Sequence, residues 1–253
     1  QNGDTFIKTY VGSSSGALFC FLFALGYKSF EIPILIADLI QAYNNKEVDI
    51  DALFSFHKTM GIEDGSFVIQ WLARCLHKRL GIKDIMFIDF CKRTGKNLVI
   101  CAANLTKGDS EFFCVDNAPD VSVLSALRAS ISLPLMFTPV KIKNMVYVDA
   151  GLYNHFPLDF FPQLKLKDTL GVQINLPVTF ATPNMSLMEY TTSIIQTTIA
   201  RANVKKCLQN YNIKTIQITF GSECEYSSCI IPGFDFEKMK IQISEDDINK
   251  YTN

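Results

Sequence analysis

The chain has 253 residues, 48% of them hydrophobic and 19% charged, which suits one large globular domain with a substantial core. Lys and Arg number 24 against 25 Asp and Glu, giving a net charge of −1 that excludes the basic surplus of a nucleic-acid binder and leaves no strong field for steering. A mean hydropathy of +0.16 and 20 phenylalanines are rather apolar for a soluble protein and leave room for contact with lipid.

Residues 6–11 read as a short apolar strand ending at Gly12. Residues 16–25 follow as a helix that is apolar on every side and is expected to be fully buried, with Gly26 at its C-cap. The uncharged stretch from Thr9 to Tyr27 has the length of a membrane span. It opens with Gly12-Ser13-Ser14-Ser15-Gly16, and only residues 17–25 are continuously apolar, so a buried strand–turn–helix is the better reading. No basic-then-apolar leader is visible, so no signal peptide is expected and Gln1 reads as an internal start. Further helices are predicted over 32–43, with Pro33 in the first turn, and over 67–80, with Ser66 as N-cap and Gly81 as terminator.

Residues 97–104 (NLVICAAN) are almost wholly apolar, as a strand buried on both faces would be. A helix over 121–130, strands over 146–149, 170–174 and 215–220, and a long helix over 185–208 complete the pattern. Ser244-x-x-Asp247 resembles a capping box opening a last helix. Strands alternating with helices argue for an α/β fold with a mainly parallel sheet and helices on both faces. The eight cysteines include no Cys-x-x-Cys pair, which argues against a zinc site and for buried free thiols in a reducing, cytoplasmic setting. The Asn104 and Asn184 glycosylation triplets are discounted as chance matches.

Gly12-Ser13-Ser14-Ser15-Gly16 matches Gly-x-Ser-x-Gly, a pattern that this composition would produce by chance about 0.04 times per chain. Between a strand and a helix, the two glycines would let a sharp turn present Ser14 at the strand tip, and the helix N-terminus would favour negative charge there. The plainer reading is a Gly/Ser-rich turn that connects elements or binds an anion. A serine hydroxyl is a weak nucleophile and needs a base. His77 lies among charged residues and is expected to be solvated, His57 sits in a polar turn, and neither follows a strand tip. His155 is the one histidine placed for a Ser-Asp-His triad. Asp149 ends a strand and precedes Ala150-Gly151; a turn aspartate is the ordinary reading, but at a strand end it could face the tip that carries Ser14.

With these residues in place the chain resembles the patatin-like phospholipases. The elbow matches at Gly12–Ala17. A helix-to-proline block matches at Ala126-Leu127-Arg128-Ala129-Ser130 through Pro134 to Phe137-Thr138-Pro139. An Asp-Gly-Gly-like block matches at Asp149-Ala150-Gly151 with Asn154-His155-Phe156-Pro157, and residues 92–106 look like the family's central strand. The likeness runs from about Ile7 to Phe220. It implies a three-layer α/β/α patatin-like fold over residues 1–253 and a lipid acyl hydrolase of phospholipase A type. Ser14 would be the nucleophile and Asp149 its base, with an acyl-serine intermediate and no metal or cofactor. It also implies an oxyanion donor at Ser15, a supporting turn at Ala150, Gly151 and Asn154, and a phospholipid or related lipid ester met at a membrane surface.

Two departures are expected to matter. Ala150 replaces the family's glycine, so the turn after Asp149 is expected to differ. Nothing in the sequence matches the family's first strand and its Gly-rich oxyanion loop, so residues 1–253 are expected to turn over weakly; one lost oxyanion donor typically costs about 10²–10³ in rate. A degenerate member that binds lipid or a partner without turnover, and an α/β-hydrolase esterase using His155, are the alternatives. Phe156, Phe160 and Phe161 are candidate acyl-channel residues or ordinary core, and the loop at 226–234 is a candidate interfacial tip.

Overall fold

The computed structural model describes residues 7–44, 56–161, 168–175, 190, 193–194, 197, 214–220 and 239–241. Two compact units are present, Gln1–Phe160 and Phe161–Asn253. The 226–234 loop, the Ser244 capping box, Asn184 and Cys207, Cys224 and Cys229 lie outside the described residues. Of the helix predicted over 185–208, Tyr190, Ser193, Ile194 and Thr197 are described, and all are helical.

The first unit is organised around strand β3, Asn97–Asn104, whose residues from Leu98 onward are all buried. Seven consecutive buried positions require cover on both faces, as the unbroken apolar run predicts. Strand β1, Thr9–Ser13, lies parallel to β3 with Gly12 opposite Ile100 and Ser13 opposite Cys101. Strand β4, Asp109–Phe113, folds back on β3 as a hairpin over Ile100–Asn104. Strands β6, Val140–Ile142, and β7, Met145–Val148, form a second hairpin, and β7 pairs antiparallel with β3 at Ala103 and Asn104. A two-stranded parallel pair, β2 (Gly61–Glu63) with β5 (Leu135–Phe137), stands apart from this sheet.

The α/β class therefore holds, and the central sheet is mixed where a mainly parallel one was expected. Only β1 runs parallel to β3, reached through a long crossover; β4 folds straight back on β3 through a tight turn, and β7, returning after the helix Val123–Ser130 and the turn from β6, runs antiparallel to it. The second unit has the parallel pairing that a long connection permits, β8 (Leu170–Asn175) against β9 (Lys214–Phe220), with β10 (Met239–Ile241) antiparallel to β9.

Helix α1, Ser15–Ala24, packs on β1 and β3 through Ala17, Leu18, Phe21, Leu22 and Ala24. It is not fully buried: Phe23 is 37% exposed, because a helix laid on a sheet hides one face and an all-apolar sequence cannot choose which residues stay wet. Phe21 stacks on Phe90 of α4, Phe87–Thr94, a helix the periodicity did not predict. Helix α2, Ile32–Asn44, packs on α3, Ser66–Leu80, and the indole N–H of Trp71 donates to the Leu35 carbonyl at 2.9 Å. Ser66 is not the cap of α3. Gly65 occupies that position at φ +73°, and the Asp64 carboxylate accepts from the Ser66 N–H at 2.8 Å, so a helical serine leaves the capping oxygen to the residue two before it. Helix α5, Val123–Ser130, starts two residues later than predicted because Ser122 caps it, accepting from the Ser125 N–H.

Among the described residues no helix is long and apolar enough to cross a membrane, and Thr9–Tyr27 is the strand–turn–helix that its Gly/Ser break predicts. The five described cysteines are free; Cys75, Cys101 and Cys114 are buried. Trp71 joins burial at 1% exposure to a satisfied donor, so Trp71→Ala should lower unfolding free energy by about 3–5 kcal/mol in urea denaturation.

Candidate active site

The register of β3 brings Ser14 and Asp149 together. β4 pairs with Ile100 and Cys101, which β1 also pairs, and with Ala103 and Asn104, which β7 also pairs. A strand has two edges, so β1 and β7 share the edge opposite β4. They run towards each other, β1 ending at Ser13 opposite Cys101 and β7 at Val148 opposite Ala103. One further residue on each brings Ser14 and Asp149 level with Ala102. Asp149 directly follows a strand that ends at Val148, one residue short of the predicted end, and that strand runs antiparallel to β1, so the site is a head-to-head junction and not a row of parallel strand ends.

At this junction Ser14 Oγ donates to Asp149 Oδ2 at 2.6 Å. The bond is direct, with no imidazole between the two groups. Ser14 has φ 53° and ψ −130°, a conformation that costs a non-glycine residue about 1–3 kcal/mol and needs its surroundings to hold it. The hold comes from several sides. The Ser14 N–H donates to Ser130 Oγ at 2.9 Å, its carbonyl accepts from the Ala17 N–H at 2.9 Å, and the Ser13 hydroxyl donates to the Asn154 carbonyl at 2.7 Å. Gly12 is sterically required, since a Cβ there would lie 2.5 Å from Ala17 Cα and 2.7 Å from the Gly16 carbonyl oxygen. Gly16 is not required in this way: a Cβ there meets nothing within 4 Å. Ser15, the first residue of α1, is exposed beside Ser14.

Asp149 is 4% exposed. Oδ1 accepts from the Gly151 N–H at 2.8 Å, and the Asp149 N–H donates to the Ser132 carbonyl at 2.8 Å. Burial pushes its carboxyl up to about 6, against the lowering effect of the Ser14 and Gly151 bonds. Ala150 does not disturb the turn. It opens a short 3₁₀ helix, Ala150–Leu152, without a positive φ, so the anticipated penalty for replacing glycine does not arise. Asn154 is buried, and its amide donates to both carboxylate oxygens of Asp159, at 2.8 and 3.1 Å, fixing the loop whose carbonyl holds Ser13.

His77 is exposed, as expected; His57 is exposed too, in a helical segment where a polar turn was expected, and His155 is half-buried. Phe156, Phe160 and Phe161 are likewise half-buried, and Phe160 packs against Phe112 at 5.3 Å between ring centroids. Sequence reasoning missed Ser130, Ser13 and Asp159 as parts of the site. Ser130 lay inside the helix-to-proline block, but nothing in a block says which hydroxyl faces which amide.

A serine held in a strained strand-to-helix turn against a buried carboxylate is the arrangement of a hydrolase-type elbow. The family model for patatin-like phospholipases matches residues 5–162, and the chain belongs to that family. It is 33% identical over 157 residues to probable lipid hydrolase 463L of Invertebrate iridescent virus 6, a match covering 60% of this chain and 52% of that protein. It is 30% identical over 183 residues to the uncharacterized protein YqhO of Bacillus subtilis (strain 168), covering 66% and 61%. It is 27% identical over 174 residues to the uncharacterized protein R571 of Acanthamoeba polyphaga mimivirus, covering 66% and 54%. The chain thus spans between half and two thirds of the length of these relatives.

Two outcomes follow from the geometry. Ser130→Ala strips the part-buried Ser14 N–H of its acceptor and should cost about 1 kcal/mol by chemical denaturation. Asp149 binds its proton more tightly folded than unfolded, near 6 against an ordinary 3.8, so its contribution to stability is full below pH 4 and declines as pH rises towards 6. Asp149→Asn should therefore be more stable than the wild type at pH 8, with the gap closing towards pH 4 in paired melting curves.

Proposed function

We propose that this chain carries a lipid acyl hydrolase of phospholipase A type, with Ser14 as nucleophile and Asp149 as general base. The observation that carries the reading is the 2.6 Å bond from Ser14 Oγ to Asp149 Oδ2 at a turn the fold holds under strain. A carboxyl raised to about 6 suits a base working near neutral pH: ionised often enough to accept a proton, and basic enough to keep it through the transition state. Ser14 attacks the acyl carbonyl as its proton passes to Asp149. Collapse of the tetrahedral intermediate gives acyl-Ser14, and the departing alcohol or lysolipid takes the proton from Asp149. Water then gives its proton to Asp149 and attacks the acyl-enzyme; the fatty acid leaves as the proton returns to Ser14.

The Ser15 N–H, in the first turn of α1 where backbone donors lack helical partners, serves as an oxyanion donor in this scheme. The substrate is a phospholipid or related lipid ester, in keeping with the family and with the viral relative's being a probable lipid hydrolase, and in this reading it is met at a membrane surface. Metal and cofactor play no part in this scheme.

A fluorophosphonate probe on the full-length protein should label Ser14, and labelling should vanish in Ser14→Ala and fall by at least about 10³-fold in rate in Asp149→Asn. Labelling should survive His155→Ala; its loss there would point to a triad. Lipid-vesicle binding without any labelling would turn the reading to a non-hydrolytic lipid binder. The value of kcat/KM should rise with pH through a midpoint of about 6, because Asp149 must be ionised to accept the proton.

A further inference from the structure

We propose that Arg128 is a positioning residue for Asp149, acting through Ser132. The inference rests on the reading of Asp149 as the base.

Arg128 lies in the last turn of α5 and is 5% exposed. Burying a guanidinium is expensive; carbonyl and hydroxyl oxygens accept from it, and the nearby Asp64 and Glu63 charges favour its charged form. Nε and Nη2 donate to the Asp64 carbonyl at 3.2 and 2.9 Å, and Nη2 also donates to the carbonyl and hydroxyl of Thr138 at 3.2 and 3.3 Å. Nη1 donates to the Ser132 hydroxyl, which donates in turn to the Arg128 carbonyl at 2.6 Å. The Phe137 ring lies 4.9 Å from the guanidinium carbon. One planar fork thus pins three separate chain segments, a task for which Lys, with a single nitrogen, is not equivalent.

The chain is shaped around this group. Gly65 sits at φ +73°, and a Cβ there would lie 1.9 Å from Arg128 Nε. The inner end of the fork matters for chemistry, since the carbonyl of Ser132 accepts the Asp149 N–H. Ser132 is fully buried and held by the two bonds to Arg128, so the peptide that anchors Asp149 is fixed from behind. The influence is positional: burial, Ser14 and Gly151 set the proton affinity of Asp149.

The test measures turnover of a short-chain chromogenic ester by the full-length protein, with active sites counted by end-point fluorophosphonate labelling of Ser14. Ser132→Ala cuts the link and leaves the fork's hold on Asp64 and Thr138. Arg128→Lys keeps the charge and loses the fork. Both should lower kcat per labelled site about 10- to 100-fold, the size of effect a misplaced catalytic group produces, with KM and the acid midpoint of the pH profile unmoved. Turnover per labelled site within twofold of wild type in Ser132→Ala, even with fewer sites labelled, would reduce Arg128 to a structural group and overturn the proposal. So would full rescue by Lys. If Arg128→Lys does not fold, Ser132→Ala decides alone. Wild-type turnover that survives Ser14→Ala removes the reading of the site and this proposal with it; Ser14-dependent turnover that ignores both variants removes the proposal only.

Discussion

Because β4 occupies one edge of β3 over Ile100–Asn104, β1 and β7 must share the other, and because they run in opposite directions their tips must meet. Every other feature of the site follows from that meeting. Ser14 and Asp149, 135 positions apart, fall level with Ala102, and their side chains close to 2.6 Å without an intermediary. A fully parallel sheet could not do this, since parallel neighbours lie side by side and their ends point the same way. The antiparallel hairpin that brings β7 back is the arrangement that turns a strand end to face Ser14.

The junction is costly to hold, and the segment after α5 holds it. Ser130 accepts the Ser14 N–H, and two residues later Ser132 accepts the Asp149 N–H. One stretch of chain therefore references both partners, so that a shift in either is a shift against the same frame. Ser14 stays in a conformation a free chain would leave, and Asp149 stays buried at the expense of its charge. Conformational strain and a raised carboxyl of this kind are disfavoured by folding alone and persist where surrounding bonds over-determine them.

Much of this was legible in the sequence. The unbroken apolar run 97–104 states that both faces of β3 are covered, and the strand occupies those residues. Gly12 between an apolar strand and an apolar helix states that the chain turns sharply there, and the steric clash awaiting any Cβ at Gly12 is the reason. Short or charged elements were less legible. Strands β2, β5 and β6 have three residues each, too few to show a period, and β4 (DSEFF) lacks the apolar alternation of a strand. Ser66 looked like a cap because serine often is one, yet it lies inside the helix, and its own N–H donates to Asp64 two residues back.

The sequence by itself determined the α/β class and the position of the Gly-x-Ser-x-Gly turn, because these depend on local spacing, and the order of its motifs carried the resemblance that pairs Ser14 with Asp149. The tertiary structure alone decided that β1 and β7 meet head to head, that Ser130 and Ser132 anchor the two partners, and that Ala150 fits where glycine was expected. Register, edge sharing and the direction of a buried hydroxyl arise from pairings between residues far apart in sequence. No local pattern encodes them, and they exist only once the strands are paired.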